Sequence, residues 1–203
     1  MQASSTQPYM EVTEQPIEKF RFRYKSEMHG THGSLTGQSA SRNKKSFPTV
    51  VLHNYFGEAV IRCSLYQLPK SQTAQPSPHS HSLVIRNMNE DRNDPHDMVV
   101  SKTQGFTAVF QGMGVIHTAR KNIEEELLRK LITQKQFEWS RPVTILEEER
   151  LKVRAKTEAT EMNLNQVCLC FEAFEKNGTE WSRICAPVYS TPINNMSEFT
   201  VDC

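Results

Sequence analysis

The sequence predicts a mainly β fold, a β-sandwich interrupted by two helices inserted between its late strands. Three observations predict it. Short stretches of strand character recur as far as Thr118, separated by turn-rich gaps. Two helical patterns with start signals follow in close succession. Strand character then returns in a run that is apolar on both faces.

Taken in order, residues 1–7 are polar and are expected to be a disordered tail. Strands are predicted at Tyr9–Glu14, Phe20–Lys25, Thr49–Asn54, Ala59–Gln67, Ser82–Asn87, Met98–Ser101, Phe106–Gln111 and Val115–Thr118. Residues 33–45, with their basic finish Arg42-Asn43-Lys44-Lys45, read as a long exposed loop. The stretch 69–81 (PKSQTAQPSPHSH) reads as a Pro/Ser loop and 89–97 (NEDRNDPHD) as an acidic turn cluster. Asn122 is a candidate N-cap with Glu125 three residues on, and Ile123, Leu127, Leu128 and Leu131 share one helical face. Thr144 and Glu147 repeat that signal before a second, highly charged helix to about Met162. Its apolar stripe (Leu151, Ala155, Ala159, Met162) is thin, which predicts packing along one edge. Gln166–Phe174 is apolar on both faces and should be a central strand. Asn177-Gly178 predicts a hairpin turn into Trp181–Val188.

The chain's 203 residues suffice for one well-buried domain. A formal net charge of +1 excludes a protein that is basic all over but leaves room for a local cationic patch. No apolar run approaches membrane-spanning length, and the start MQASSTQPYM has no signal-peptide core, so a soluble intracellular chain is expected. The five cysteines are odd in number and include no Cys-x-x-Cys pair. Cys168 and Cys170 lie on one face of a predicted strand, where Cα atoms are about 7 Å apart, too far for good disulfide geometry. Reduced, buried thiols are the expectation. His79, His81 and His96, or His29 with His32, lack a four-ligand pattern, so no metal is expected. No nucleophile–base arrangement, phosphate loop or dinucleotide fingerprint is present, which argues against an enzyme and gives no cofactor.

The segment Phe20–Gly33, FRFRYKSEMHGTHG, carries the chemistry. If extended, it points Arg21, Arg23 and Lys25 one way and Phe20, Phe22 and Tyr24 the other. Arginine bonds guanine O6 and N7 in two-pronged fashion, and glutamate accepts from cytosine N4. Two arginines near Glu27 therefore suit G·C reading in a major groove. The same pattern also occurs on exposed edge strands, where charge discourages strand pairing.

FRFRYKSEMHGTHGSLTG resembles the opening DNA-recognition loop of the Rel/NF-kappa-B transcription factors, and three later segments follow in the family's order. Phe47–Leu65 is similar to its next strands, Gly114–Lys121 (GVIHTARK) to its phosphate-touching strand-to-helix turn, and Met162–Pro187 to its closing strands. The similarity runs from Pro8 to Asn195 and is strongest to the arthropod, Relish-like branch. It implies an immunoglobulin-like (p53-like) β-sandwich with a helical insertion at about 120–162, acting in innate-immune gene expression from cytoplasm and nucleus. It implies base contacts from Arg21, Arg23, Glu27 and His32, with Glu27 also bracing an arginine. Backbone contacts would come from Tyr24, Lys25, Ser26, Arg120 and Lys121. The acids at 124–126 would partly oppose the field of the helix N-terminus near those last two residues.

Two departures from the family stand out. Ser26 occupies the position of an oxidation-sensitive cysteine. The family continues after Asn195 into a second sandwich that dimerises with other Rel members, whereas this chain ends in Met196–Cys203 (MSEFTVDC). The expectation is a monomer with weak, salt-sensitive affinity for G-rich DNA. The rival reading is a truncated regulatory form that works by protein contacts or as a dominant negative.

Overall fold

The computed structural model describes residues 7–29, 33–69, 71, 76–85 and 92–196. One sheet pairs β1 (Tyr9–Glu14) with β3 (Thr49–His53) and β3 with β8 (Thr107–Val109), all antiparallel. The larger sheet runs β2 (Lys19–Phe20), β13 (Ile193–Asn195), β10 (Gln166–Asn177), β4 (Ala59–Tyr66), β7 (His96–Val100). Two short strands, β11 (Glu180–Arg183) and β12 (Val188–Tyr189), also pair with β10. A small third sheet orders β6 (Arg92–Asn93), β5 (Ser82–Ile85) and β9 (Met113–Ile116).

Alternation builds the core. Ala59, Ile61, Cys63 and Leu65 of β4 are buried while the residues between them stay partly exposed. They pack with Met10, Val50, Leu52 and Ala108 of the first sheet, and the Phe110 and Phe171 rings meet at 5.5 Å. This is a sandwich, as expected. Strand β10 is buried on both faces from Val167 to Phe174, in the predicted central place. Its outer face sets Cys168 and Cys170 against Tyr66 and Tyr189.

The helical insertion comprises α1 (Ile123–Trp139) and α2 (Ile145–Glu161). Thr144 and Glu147 form the expected capping box, in which the Thr144 N–H donates to the Glu147 carboxylate at 2.7 Å. Asn122 occupies the expected N-cap position of α1, but its side chain makes no capping bond; it ends a 3-10 turn, Arg120–Asn122, with its N–H on the Ala119 carbonyl. As the thin stripe predicted, only Leu151 and Ala155 of α2 are buried, packed with Ile123, Leu127 and Leu131.

Three loops are more structured than their composition suggested. Leu35 is fully buried, and the Glu14 carboxylate gathers the Ser39 N–H and the Ser39 and Ser46 hydroxyls at 2.8–3.0 Å. A Cβ at Gly37 would collide with that carboxylate, so a larger residue there would have to displace the Glu14 side chain from these bonds. In the Pro/Ser stretch, Ser77, His79, Ser80 and His81 are buried beneath the helices. Lys130, the one buried cation of α1, donates to the His79 and His81 carbonyls and to Asp94 at 2.6–3.1 Å. The acidic cluster likewise contributes β6, a buried Asp94 and a buried His96. Composition marks a loop but cannot show that a helix will cover it. Among the described residues no helix is long and apolar enough to cross a membrane.

Candidate nucleic-acid interface

Backbone pairing fixes the candidate recognition segment at one end of the sandwich. β2 runs parallel to β13, with Lys19 opposite Asn194 and Phe20 opposite Asn195. The Phe22 N–H donates to the Asn195 side-chain oxygen at 2.9 Å, and Phe22 itself is buried. The Arg23 N–H donates to the Val115 carbonyl at 2.9 Å, while the Arg23 carbonyl accepts from the His117 N–H at 2.8 Å. These bonds lay the recognition segment along the exit of β9.

The chain then turns. Lys25–His29 forms a 3-10 helix, and the Glu27 N–H bonds back to the Tyr24 carbonyl. One Glu27 carboxylate oxygen accepts from the Arg21 guanidinium at 2.9 Å, the other from the Tyr24 N–H at 2.8 Å. An ion pair this exposed adds at most about 1 kcal/mol to stability. Its value is orientation, because it limits where the Arg21 fork can point.

The expected alternation therefore holds only in part. Phe22 is inside and Arg21 and Arg23 face outward, half-exposed, but Tyr24 does not anchor the strand. The turn closed by Glu27 leaves Tyr24 60% exposed, its ring stacked on His117 at 4.8 Å. Lys25 and Ser26 are exposed on that turn. His32 lies outside the described residues.

The second sequence-predicted group lies just beyond His117. Arg120 and Lys121 are exposed in the 3-10 turn that leads into α1. Of the acids that follow, Glu126 is paired with Arg129, and Glu124 and Glu125 remain exposed. Among the described residues Arg23, Lys25, Arg120 and Lys121 form no ion pair, so each can meet an anion without first losing a carboxylate.

Asn195 was not among the sequence-predicted residues, yet it ties three elements together. Its oxygen holds Phe22, while its nitrogen lies 3.4 Å from both His117 Nε2 and Asn165 Oδ1. Nothing in the local pattern INN announces that role. Among the described residues no group of His, Cys, Asp or Glu could hold a metal ion.

Comparison with known proteins adds a lineage to this geometry. A family model, the Rel homology DNA-binding domain, matches residues 10–196. The chain is 52% identical over 191 residues to the nuclear factor NF-kappa-B p110 subunit of Drosophila melanogaster, across 93% of this chain and 19% of that protein. It is 33% identical over 190 residues to the p100 subunit of Gallus gallus, across 93% of this chain and 20% of that one. The chain thus spans about a fifth of the length of these curated relatives. Among solved structures, the Dorsal homologue Gambif1 bound to DNA superposes with a TM-score of 0.68 at 28% identity, covering 93% of this chain and 99% of that chain.

Proposed function

The chain belongs to the family of Rel homology DNA-binding domains, and we propose that residues 8–195 read G-rich, kappa-B-type half-sites in the major groove of double-stranded DNA. The carrying observation is the Glu27 carboxylate, shared between the Arg21 guanidinium and the Tyr24 N–H. It places a two-pronged donor beside an acceptor, the pair that a G·C base pair complements.

In this reading Arg21 and Arg23 meet guanine O6 and N7, Glu27 accepts from a cytosine amino group, and His32 reaches the outermost guanine. Tyr24, Lys25 and Ser26 contact the backbone beside them, and Arg120 and Lys121 meet phosphates. The phosphate contacts position the domain and the base contacts specify sequence. A net charge of only +1 supports a local cationic surface as the source of affinity. The longer protein would act without a cofactor as a transcription regulator of innate immune genes, moving between cytoplasm and nucleus and dimerising with Rel family members.

The test is a titration of a G-rich half-site duplex against a scrambled duplex at two salt concentrations. Both affinities should fall as salt rises while the preference for the G-rich duplex persists. A preference near one at both concentrations would reject the reading.

A further inference from the structure

Behind Tyr24 lies a column of imidazoles that connects the recognition segment to the helical insertion. Tyr24 stacks on His117, whose ring meets that of His81 at 4.6 Å, and His81 meets His79 at 4.5 Å. Phe22 closes the side of this column, 5.7 Å from His117 and 5.8 Å from His81.

Hydrogen bonds fix the protonation state of the two inner rings. His81 Nε2 donates to the Leu164 carbonyl at 2.9 Å, while its Nδ1 accepts from the Thr118 N–H at 3.2 Å. His79 Nε2 donates to the Asn163 carbonyl at 3.1 Å, and its Nδ1 accepts from the His81 N–H at 3.0 Å. Each ring uses one donor and one acceptor, which only the neutral Nε2–H tautomer supplies. Asn163 and Leu164 follow α2 directly, and Lys130 of α1 grips the carbonyls of both histidines. The helices therefore hold His79 and His81, and His81 backs His117.

We propose that His117 is a positioning residue for base reading: it seats Tyr24, and with it the turn that aims Arg21 and Arg23, against the packing of the helical insertion. This rests on the DNA-reading role argued above. Asn195 adds the third support. Because its oxygen is taken by the Phe22 N–H, its nitrogen faces His117 Nε2 as a donor, and that position requires an unprotonated acceptor. A proton there would set donor against donor.

The groups facing His117 are Tyr24 and Glu27 from the recognition segment, His81 from the buried loop with Lys130 behind it, and Asn195 from β13. Burial lowers the His117 pKa below its ordinary value, with the Glu27 charge opposing. Acid should consequently loosen the seat under Tyr24 before it reaches the inner rings, since His81 titrates only near 4.

The experiment compares the full chain with His117→Ala and His117→Phe at pH 7.5 and 5.5, using the G-rich and scrambled duplexes. His117→Ala should cut the G-rich preference about tenfold, the scrambled duplex losing only the smaller share carried by the Tyr24 backbone contact. His117→Phe should restore most of that preference at pH 7.5 and lose less of it than the wild type on acidification to pH 5.5. His32 is common to all three proteins. An unchanged ratio in His117→Ala would overturn the proposal, and so would an equal weakening of both duplexes, which would mark a phosphate contact. If His117→Ala does not fold, parallel pH profiles of wild type and His117→Phe would overturn it. The Tyr24 ring resonances of the DNA-free protein give a readout independent of DNA. They should shift with the His117 midpoint in the wild type and stay still in His117→Phe. A wild type with no G-rich preference but this Tyr24 titration would reject the DNA-reading role and keep the seat; a Tyr24 ring blind to His117 would reject the seat.

Discussion

The Arg21 guanidinium rests on the Glu27 carboxylate at 2.9 Å, across a turn that also returns the Tyr24 N–H to the same carboxylate. Removing the carboxylate takes away this anchor of the arginine and deletes the acceptor for cytosine. In Glu27→Ala, affinity for the G-rich duplex should fall by about 1–3 kcal/mol. Affinity for a scrambled duplex should rise slightly, because one negative charge has left a phosphate-facing surface. Titrating both duplexes checks this; equal changes in one direction would contradict it.

Lys121 makes the opposite prediction. It is exposed, free of any carboxylate among the described residues, and placed where only backbone is expected within reach. Lys121→Ala should weaken all sequences similarly and lower the slope of log affinity against log salt by about 1. A loss confined to the G-rich duplex would instead make Lys121 a base reader.

Oxidation should leave binding intact. The recognition turn carries Ser26, and the described cysteines Cys63, Cys168 and Cys170 are buried, Cys185 half-buried. Burial pushes every one of these thiols up, Cys168 to about 12, away from the reactive thiolate. Diamide should not inhibit binding in a gel-shift assay. Inhibition reversed by reductant would contradict this.

Acid should cost stability earlier than carboxylate titration alone would. Burial holds His79 well below the ordinary histidine value and brings His81 down to about 4. Below about 6.5 the unfolded chain therefore binds protons that the folded chain refuses, and stability falls as pH drops. For His81 alone the full effect, reached near pH 4, is roughly 3 kcal/mol. Urea midpoints should decline already between pH 6.5 and 5, with the m-value unchanged. A flat midpoint over that range would show that these rings titrate normally.

Features of the fold that were legible in the sequence are those written locally. The alternation of Ala59, Ile61, Cys63 and Leu65, the two-sided apolar run of β10 and the Thr144–Glu147 cap each depend on neighbours a few positions away. The site was legible at Arg21, Arg23 and Glu27, whose residue types carry the chemistry. Tyr24 was misplaced because alternation assumes a straight strand, and Glu27 bends it. Asn195 was missed because its partners, Phe22 and His117, lie far away in the sequence. His79 and His81, which Lys130 holds, were misread for one reason. Polar composition predicts exposure, yet these groups satisfy one another beneath a pair of helices, where burial becomes tolerable.

The central claim is that arginines of the turn read guanines by their major-groove edge. The most direct measurement replaces individual guanines of the G-rich duplex with 7-deazaguanine, which removes the N7 acceptor and leaves pairing and charge intact. Wild-type protein should lose about 1–3 kcal/mol at each guanine that is read, and Arg23→Ala should show no further loss at the guanine that Arg23 contacts. Undiminished binding of the fully substituted duplex by the wild type would contradict the account.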